Sequence, residues 1–505
     1  MVKGGLRLAT TMSLDGVGAR LTTRAPRWTR LGQPSGRLLI GPILAGAAVG
    51  VGAASALAPL YALVALLLLG LVASVWRWPP LGAFLIIGLT PLTAGINRGS
   101  ALPFLRPNEA IVVIAGVVLM ARGIVLLRSG RLPRLRLGAV EASIVVLAVC
   151  SSFVPVLWMA LRQEQITTDD LLYGLVLWKF LGLYAVIRMS VTTDRQILRC
   201  LWISVAAACI VAVVAIVQSL GLFGVPRFLS TFFAPYGYTD AFQARGSATL
   251  GLPAATADLM VYNLAIVGGM WSRTHGHRVL LAGSAGLLVL GALSAGEFSG
   301  VIGLLVGIVC IAAVTNSARL LKVLVPAGLM GSVLVWPVLA IRLGGFQSLS
   351  GLPISWTERV QNLQNYFWPQ LFSDWNFVLG VRPAARVAVA TQGTGYVWIE
   401  SGYTWLLWGG GIPLFASFVF FVVAMAKRGW RTARGSAGAA GIAGTATFVA
   451  VVVTAVLMVF DPHLTYRGSG DAMFILAALA ATRMGRPDDA RAVNRQQEPA
   501  DEDLI

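Results

Sequence analysis

Ile354-Ser355-Trp356-Thr357-Glu358-Arg359-Val360 lies near the start of the one long polar interruption, Arg342 to Ser401, in a chain otherwise made of apolar runs of membrane length. Ser355 followed three residues later by Glu358 is a capping box, so a helix is expected to begin there. Trp356, Val360, Leu363 and Phe367 then recur at helical spacing and form one apolar face. Arg359 and Tyr366 flank that stripe, and Pro369 is expected to end or kink the helix. A looser stretch with Arg382 and Arg386 follows. It leads through Tyr396-Val397-Trp398-Ile399-Glu400-Ser401-Gly402-Tyr403 into the next apolar run. The interruption reads as a short amphipathic helix held over a membrane, with arginines beside it and one carboxylate, Glu400, at its exit.

Outward from that stretch, composition fixes the class. A chain of 505 residues would ordinarily suggest about three soluble domains. Here 57% of residues are hydrophobic and only 12% charged, with a mean hydropathy of +0.78. The expectation is an all-α polytopic membrane protein. A span needs about 20 apolar residues. Candidates fall at 38–56, 58–76, 80–95, 108–127, 139–160, 170–190, 200–221, 253–272, 279–295, 299–316, 323–341, 402–426, 438–460 and 471–484, about 14 spans (12–14, since the third and last are short) by that ruler. The organisation expected is a basic cytoplasmic N-tail at 1–37, spans 1–11 over 38–341 and a large extracytoplasmic loop at 342–401. Spans 12–14 follow over 402–484, with a C-tail at 485–505. Residues 1–37 carry no secretory h-region with a cleavage site, so the first apolar run is expected to stay as an anchor. The acidic end of the C-tail reads as disordered.

The net charge of +18 could point to nucleic acid, but its distribution points to topology instead. Most of the 39 basic residues fall in short segments on one side. The exceptions are Arg98, Arg106, Arg162, Arg227, Arg245, Arg342, Arg359, Arg382, Arg386 and Arg467, with Lys179 inside a span. By the positive-inside rule both termini are cytoplasmic and the loop 342–401 is extracytoplasmic. No nucleic-acid partner is expected; the lipid bilayer is. The excess of arginine over lysine, with abundant Ala and Gly, suggests a GC-rich bacterial genome. Cys150, Cys200, Cys209 and Cys310 lie in or beside apolar runs without CxxC spacing and read as small packing residues.

The outward polar groups form a short set. One loop carries Arg227 and then Arg245-Gly246-Ser247. A tight hairpin between two spans carries Glu297, where a carboxylate is costly unless paired; it reads as an acid/base or as the partner of a nearby arginine. The last loop carries Asp461, His463, which stands alone in the sequence, and Arg467. Arginine makes planar, bidentate contacts with phosphate, so an arginine-lined outer cavity suits a diphosphate. Lys179 is expected to make an inward-facing polar contact. Asp169-Asp170 reads as a helix cap. Tyr403, Trp405 and Trp408 read as an interfacial belt, whereas Trp356 and Trp398 could equally stack on sugar rings. No metal site is expected, because HExxH, DxD and Walker patterns are missing, His275 and His277 lie in a basic loop without nearby carboxylates, and His463 is a single histidine.

At these residues the chain resembles a known family, the O-antigen ligase/polymerase (WaaL/Wzy) superfamily of bacterial membrane glycosyltransferases. Arg245-Gly246-Ser247-Ala248-Thr249-Leu250-Gly251-Leu252-Pro253 is similar to that family's Arg-x-x-Gly-x-x-x-x-Pro-Asn-x-x-Ala element. Arg359 with its following aromatics and Phe377-Val378-Leu379-Gly380 is similar to the large periplasmic loop. Glu400-Ser401-Gly402-Tyr403 through Gly411-Ile412 is similar to the segment closing that loop, with Glu400 where ligases carry His and Ala254 where the family has Asn. The resemblance covers roughly residues 240–425. It implies a GT-C-like, metal- and cofactor-independent enzyme of cell-surface polysaccharide biosynthesis in the bacterial cytoplasmic membrane, acting on its outer face. The implied substrates are a polyprenyl-diphosphate-linked glycan donor and a sugar acceptor, with other polysaccharide-assembly proteins as neighbours. Glu400 would be the catalytic base. Arg245 and Arg359, then Arg342 and Arg467, would hold the diphosphate. The rival expectations are a lipid-linked-oligosaccharide flippase, whose charges should line a central cavity between two similar halves, and a non-catalytic membrane partner in envelope assembly.

Overall fold

A computed structural model describes residues 59–97, 105–128, 138–233, 245–274, 276–316, 354–389 and 395–482, with isolated positions between 326 and 340. The expected spans at 38–56 and 323–341, both tails and Arg342 lie outside the described residues. The chain divides into two units, residues 1–69 and 70–505. Of the first, 59–69 are described and belong to helix α1 (Pro59–Arg77).

The second unit is an all-α bundle with one small hairpin. In order come α2 (Pro80–Thr93), α3 (Pro107–Arg128), α4 (Ala139–Leu161), α5 (Thr168–Gly174), α6 (Val176–Ser190), α7 (Asp194–Ser219) and α8 (Val225–Phe232). Then follow α9 (Pro253–Arg273), α10 (Arg278–Ser294), α11 (Phe298–Thr315), α12 (Ile354–Asn362), α13 (Trp368–Leu371) and α14 (Asn376–Leu379). Strands β1 (Arg386–Ala388) and β2 (Tyr396–Trp398) pair antiparallel, and α15 (Gly402–Gly435), α16 (Ala439–Leu457) and α17 (Ser469–Ala481) close the chain. Every expected span within the described residues falls on a helix. Among the described residues, 7 helices are long and apolar enough to cross a membrane: α3, α4, α5 with α6, α7, α11, α15 and α16. The chain is thus an all-α polytopic membrane protein. Shorter apolar helices accompany these spans, as the lengths of the third and last apolar runs anticipate.

Helix α9 is the hub. It is buried along most of its length and carries Thr256, Asp258, Tyr262 and Asn263 on an otherwise apolar helix. Buried polar groups need partners. Tyr262 and Thr454 of α16 share a hydrogen bond of 2.7 Å, and Ser204 of α7 donates to Asn263 at 2.8 Å. Lys179 of α6 pairs with Asp471 of α17 at 2.8 Å, which is the inward contact expected of it.

The two ends of the bundle differ. At one end the turns are short and closed by caps: the Asp194 carboxylate accepts the first N–H groups of α16, from Ala439 and Ala440, at 3.3 Å each. At the other end the long connections gather. Gly95 donates to Thr249 O at 2.9 Å and Gly246 to Ser294 O at 2.9 Å. Arg162 reaches Asn376 and the Val381 carbonyl, both at 2.7 Å. The described connections joined by these bonds are neighbours at that end.

The described parts of the long loop, 354–389 and 395–401, form helices and a hairpin. Ile354 and Ser355 are already helical, so Ser355 is not the N-cap. The helix neither stops nor simply kinks at Pro369. Leu363–Phe367 form a π-turn, Trp368 donates to the Leu363 carbonyl, and α13 continues through the proline. Proline cannot donate to the preceding turn, and the wider turn accommodates the lost bond. The π-turn also resets the register: Leu363 and Phe367 are buried, but Val360 is exposed.

Helix α15 is broken at Gly410 and Gly411, and α14 docks into the break. Gly411 has φ 62°, and a Cβ there would stand 2.1 Å from the Val378 carbonyl oxygen. Only glycine fits such a conformation at such an approach. This docking corrects the expected aromatic belt. Trp405 and Trp408 are buried, and Trp408 donates to Ala384 O at 2.9 Å and meets Phe367 edge to face. The Tyr403 hydroxyl donates to Ala455 O at 2.7 Å. Trp408 thus fastens the loop to the bundle, Trp405 is buried, and Tyr403, half-buried, ties α15 to α16.

Candidate functional site

Five segments converge at the loop-bearing end. Helix α12 supplies Arg359, and the strand running into α15 supplies Glu400. That residue is fixed in place by Ser401, whose hydroxyl caps α15 by accepting the Thr404 N–H at 3.3 Å. The turn between α10 and α11 supplies Glu297. The segment before α9 supplies Arg245, and the connection between α16 and α17 supplies Asp461. Trp356 helps to fasten α12 here, since it packs on Phe298 and on Phe460, ring centroids 5.6 and 5.2 Å away.

Arg245 is placed by a tightly folded segment. Gly246 lies against the backbone of Ala215, where a Cβ would come within 2.8 Å of the carbonyl oxygen. The Gln218 side chain then binds both Ser247 and the Ala248 N–H, at 2.9 and 2.7 Å. The Arg-Gly-Ser sequence is read here as backbone approach plus buried hydrogen bonding, which leaves the arginine at the rim.

Arg359 donates to Asp461 at 2.8 Å and stands 3.8 Å from Glu400. Arg245 stands 3.6 Å from Glu297. The Asn362 side chain bonds Glu400, and Tyr466 bonds Asp461. Three carboxylates thus share two arginines. Burial pushes the Glu297 carboxyl up, against the pull of Arg245 and Arg359. Burial likewise raises Glu400 and Asp461, with Arg359 opposing in both cases. Burial works against the charge of Arg359, yet Asp461, Glu400 and Glu297 more than offset it and hold its pKa above the usual arginine range. Desolvation beats pairing for the acids because there is one acid too many. Such a site can take up a proton, or accept one from a bound hydroxyl, more readily than ordinary carboxylates can.

Behind this cluster lies a second pair. His463 Nδ1 and Asp258 Oδ2 are 2.8 Å apart, with both side chains 1% exposed or less. His463 is therefore not alone, as the sequence suggested: Asp258 comes from α9, remote in sequence. Its signal was a carboxylate five residues inside a span, which is costly unless paired. Tyr466 and Asp258 complete the set and were not singled out in the sequence; Asp461 stood out only as an outward polar group, without a role.

Of the expected site residues, Arg245, Arg359, Glu297 and Glu400 come together. Arg467 follows Tyr466 and is half-buried. Arg382 and Arg386 are elsewhere. Arg382 donates to both oxygens of Asp170, at 3.0 and 2.8 Å, and Arg386 pairs with Asp169 beneath the rings of Tyr396 and Trp398. The cap of α5 is Thr167 and not the expected aspartate pair: its hydroxyl accepts the Asp170 N–H, and Asp170 accepts the Thr167 N–H in return, so Asp170 completes a capping box and also anchors the loop. Among the described residues no three His, Cys, Asp or Glu side chains come together as a metal site.

The class that fold and geometry define is a multi-pass helical membrane protein with a charged, partly buried cluster at one end. No protein-family model matches the chain, and no curated protein matches it.

Proposed function

We propose that the protein is a membrane glycosyltransferase of the O-antigen ligase/polymerase kind, GT-C-like with about 12–14 spans. It acts on the outer face of a bacterial cytoplasmic membrane, with both termini inside, and it takes its place in cell-surface polysaccharide biosynthesis. It transfers or polymerises a polyprenyl-diphosphate-linked glycan onto an acceptor sugar. The observation that carries this reading is the meeting of Arg245, Arg359, Glu297 and Glu400 from four separate segments at one end of the bundle. It is an end-on cluster, not a path through the middle, and that favours transfer over flipping.

In the reaction, an acceptor hydroxyl attacks the anomeric carbon of the donor as the bond to the diphosphate oxygen breaks. Glu400, the most exposed of the three carboxylates, takes the hydroxyl proton; its raised pKa brings it closer to the operating pH, which suits a general base. Arg245 and Arg359 neutralise the charge that develops on the leaving diphosphate. Asp461 holds Arg359 in place until the phosphate oxygens compete for it.

The test is transfer per folded molecule, measured on purified, monodisperse protein in outward-facing vesicles with a lipid-linked glycan donor. Glu400→Gln keeps the shape and removes the base, with an expected loss of roughly 10²–10⁴ in rate. Retention of most of the specific activity would move the base to Glu297 or Asp461.

A further inference from the structure

The Asp258–His463 pair takes no part in the chemistry just described, yet its burial demands an explanation. One ring nitrogen of His463 faces one oxygen of Asp258 at 2.8 Å. The remaining polar atom of each, His463 Nε2 and Asp258 Oδ1, is buried without a hydrogen-bond partner. A buried polar group left unpaired costs about 1–3 kcal/mol, so a purely structural pair would be an expensive choice at a helix-packing site.

The position of the pair links it to the cluster. His463 opens a short 3-10 turn, residues 463–465, and its N–H donates to the Asp461 carbonyl at 2.7 Å. Its ring lies 4.7 Å from that of Tyr466, which in turn bonds the Asp461 carboxylate. Asp461 holds Arg359 at 2.8 Å. The chain of contact therefore runs from α9 through His463 to the turn, and from the turn to the arginine. The charged and titratable groups that feel this pair are Asp461 and Tyr466 on its own connection, Tyr262 one turn along α9 and Glu297 from the α10–α11 turn; Arg359 and, beyond it, Glu400 are reached through Asp461.

We propose that Asp258 and His463 form a buried positioning pair whose protonation state sets the net charge beside the Asp461–Arg359 contact. With His463 neutral, its Nδ1–H donates to Asp258 and the cluster carries its full excess of carboxylate. With His463 protonated, one of those negative charges is offset, and Asp461 remains ionised to hold Arg359. The pair would thus decide how firmly Arg359 is held away from an incoming diphosphate. That consequence for turnover rests on the glycosyltransferase reading; the coupling itself does not.

The chain has only 3 histidines, which makes His463 a tractable probe. The full-length protein, ring-labelled with 15N and reconstituted in nanodiscs, is titrated from about pH 5 to 9 by NMR, with His463→Asn to identify the signal. Expected are the Nδ1–H tautomer in the neutral form and a midpoint that falls by about half a pH unit or more in Asp461→Asn, since a nearby negative charge favouring the imidazolium has gone. Asp258→Asn should abolish the tautomer preference. In the transfer assay, His463→Asn, whose amide can still donate to Asp258, should keep turnover at its optimum but flatten the pH profile. A midpoint that does not move in Asp461→Asn, or a His463 that holds one protonation state across the range in both proteins, overturns the coupling. A moving midpoint in a protein without transferase activity would leave the coupling standing and remove the glycosyl-transfer reading alone.

Discussion

Two sets of arginine–carboxylate pairs lie at the same end of the bundle, and they are built differently. Around α5, Arg382 and Arg386 each meet one aspartate, Asp170 and Asp169, with further hydrogen bonds from Thr167 and the Ala384 N–H and aromatic rings over Arg386. Charges there are matched one to one. Around α12, Glu297, Glu400 and Asp461 share Arg245 and Arg359, and all three acids are pushed above the usual carboxylate range. A matched set can be pure architecture, fastening the loop to the bundle. A mismatched set is held in an unfavourable state by the surrounding fold, which is the condition the proposed chemistry uses.

The largest effect that would sharpen this contrast is expected at Arg245. Arg245→Ala should cost on the order of 2–5 kcal/mol of transition-state stabilisation, where the arginine and the diphosphate are desolvated together. Arg245→Lys should recover only part of it, since lysine lacks the planar fork. Steady-state transfer per folded molecule measures both. Wild-type output from Arg245→Ala would leave the mismatched set without its first function.

A smaller effect, and on stability instead, is expected in the matched set. Asp170 is fully buried and accepts from Arg382, Thr167 and Ala384. Asp170→Asn should cost about 2–3 kcal/mol, below the usual range for a broken buried pair because Arg382 is partly solvated. Chemical or thermal unfolding in detergent reads this, and transfer per folded molecule should hold.

The smallest effect has the opposite sign. The folded pKa of Glu400 is raised. Its ionisation therefore weakens the fold as pH climbs from the ordinary carboxylate value to the raised one, and the deficit is constant above that. Glu400→Gln should remove the deficit and give a small gain in stability at neutral pH, damped by solvent screening because Glu400 is partly exposed. The gain should vanish at acid pH below the unfolded value. A variant that is less stable at neutral pH would make Glu400 a structural partner of Arg359.

How far the sequence could be read follows from where each interaction reaches. The spans are set by local apolar composition, so those within the described residues land where hydropathy puts them. Arg245, Arg359, Glu297 and Glu400 stood out because charge is rare at the outer ends of apolar runs. The partnership of Asp258 and His463 did not, because it bridges 205 residues; the carboxylate inside a span signals that Asp258 needs a partner, but not which one. The same limit applies to Trp405 and Trp408. They sit where an interfacial belt is expected, but the Gly410–Gly411 break lets α14 dock against α15 and buries them. The capping box failed for a different reason: Ser355-Thr357-Glu358 fits a helix start, but the helix already includes Ile354.

The most direct test sets the two arginine sets against each other in one preparation: Arg359→Ala and Arg382→Ala, each assayed for thermal unfolding and for transfer per folded molecule. Arg359→Ala should lose transfer per folded molecule by at least the tenfold that about 1.4 kcal/mol represents, and should also melt lower, because Asp461 loses its cation. Arg382→Ala should melt lower and transfer normally once folded. The reverse pattern, with Arg359→Ala unstable but active and Arg382→Ala stable but inactive, would contradict the assignment of chemistry to the mismatched set.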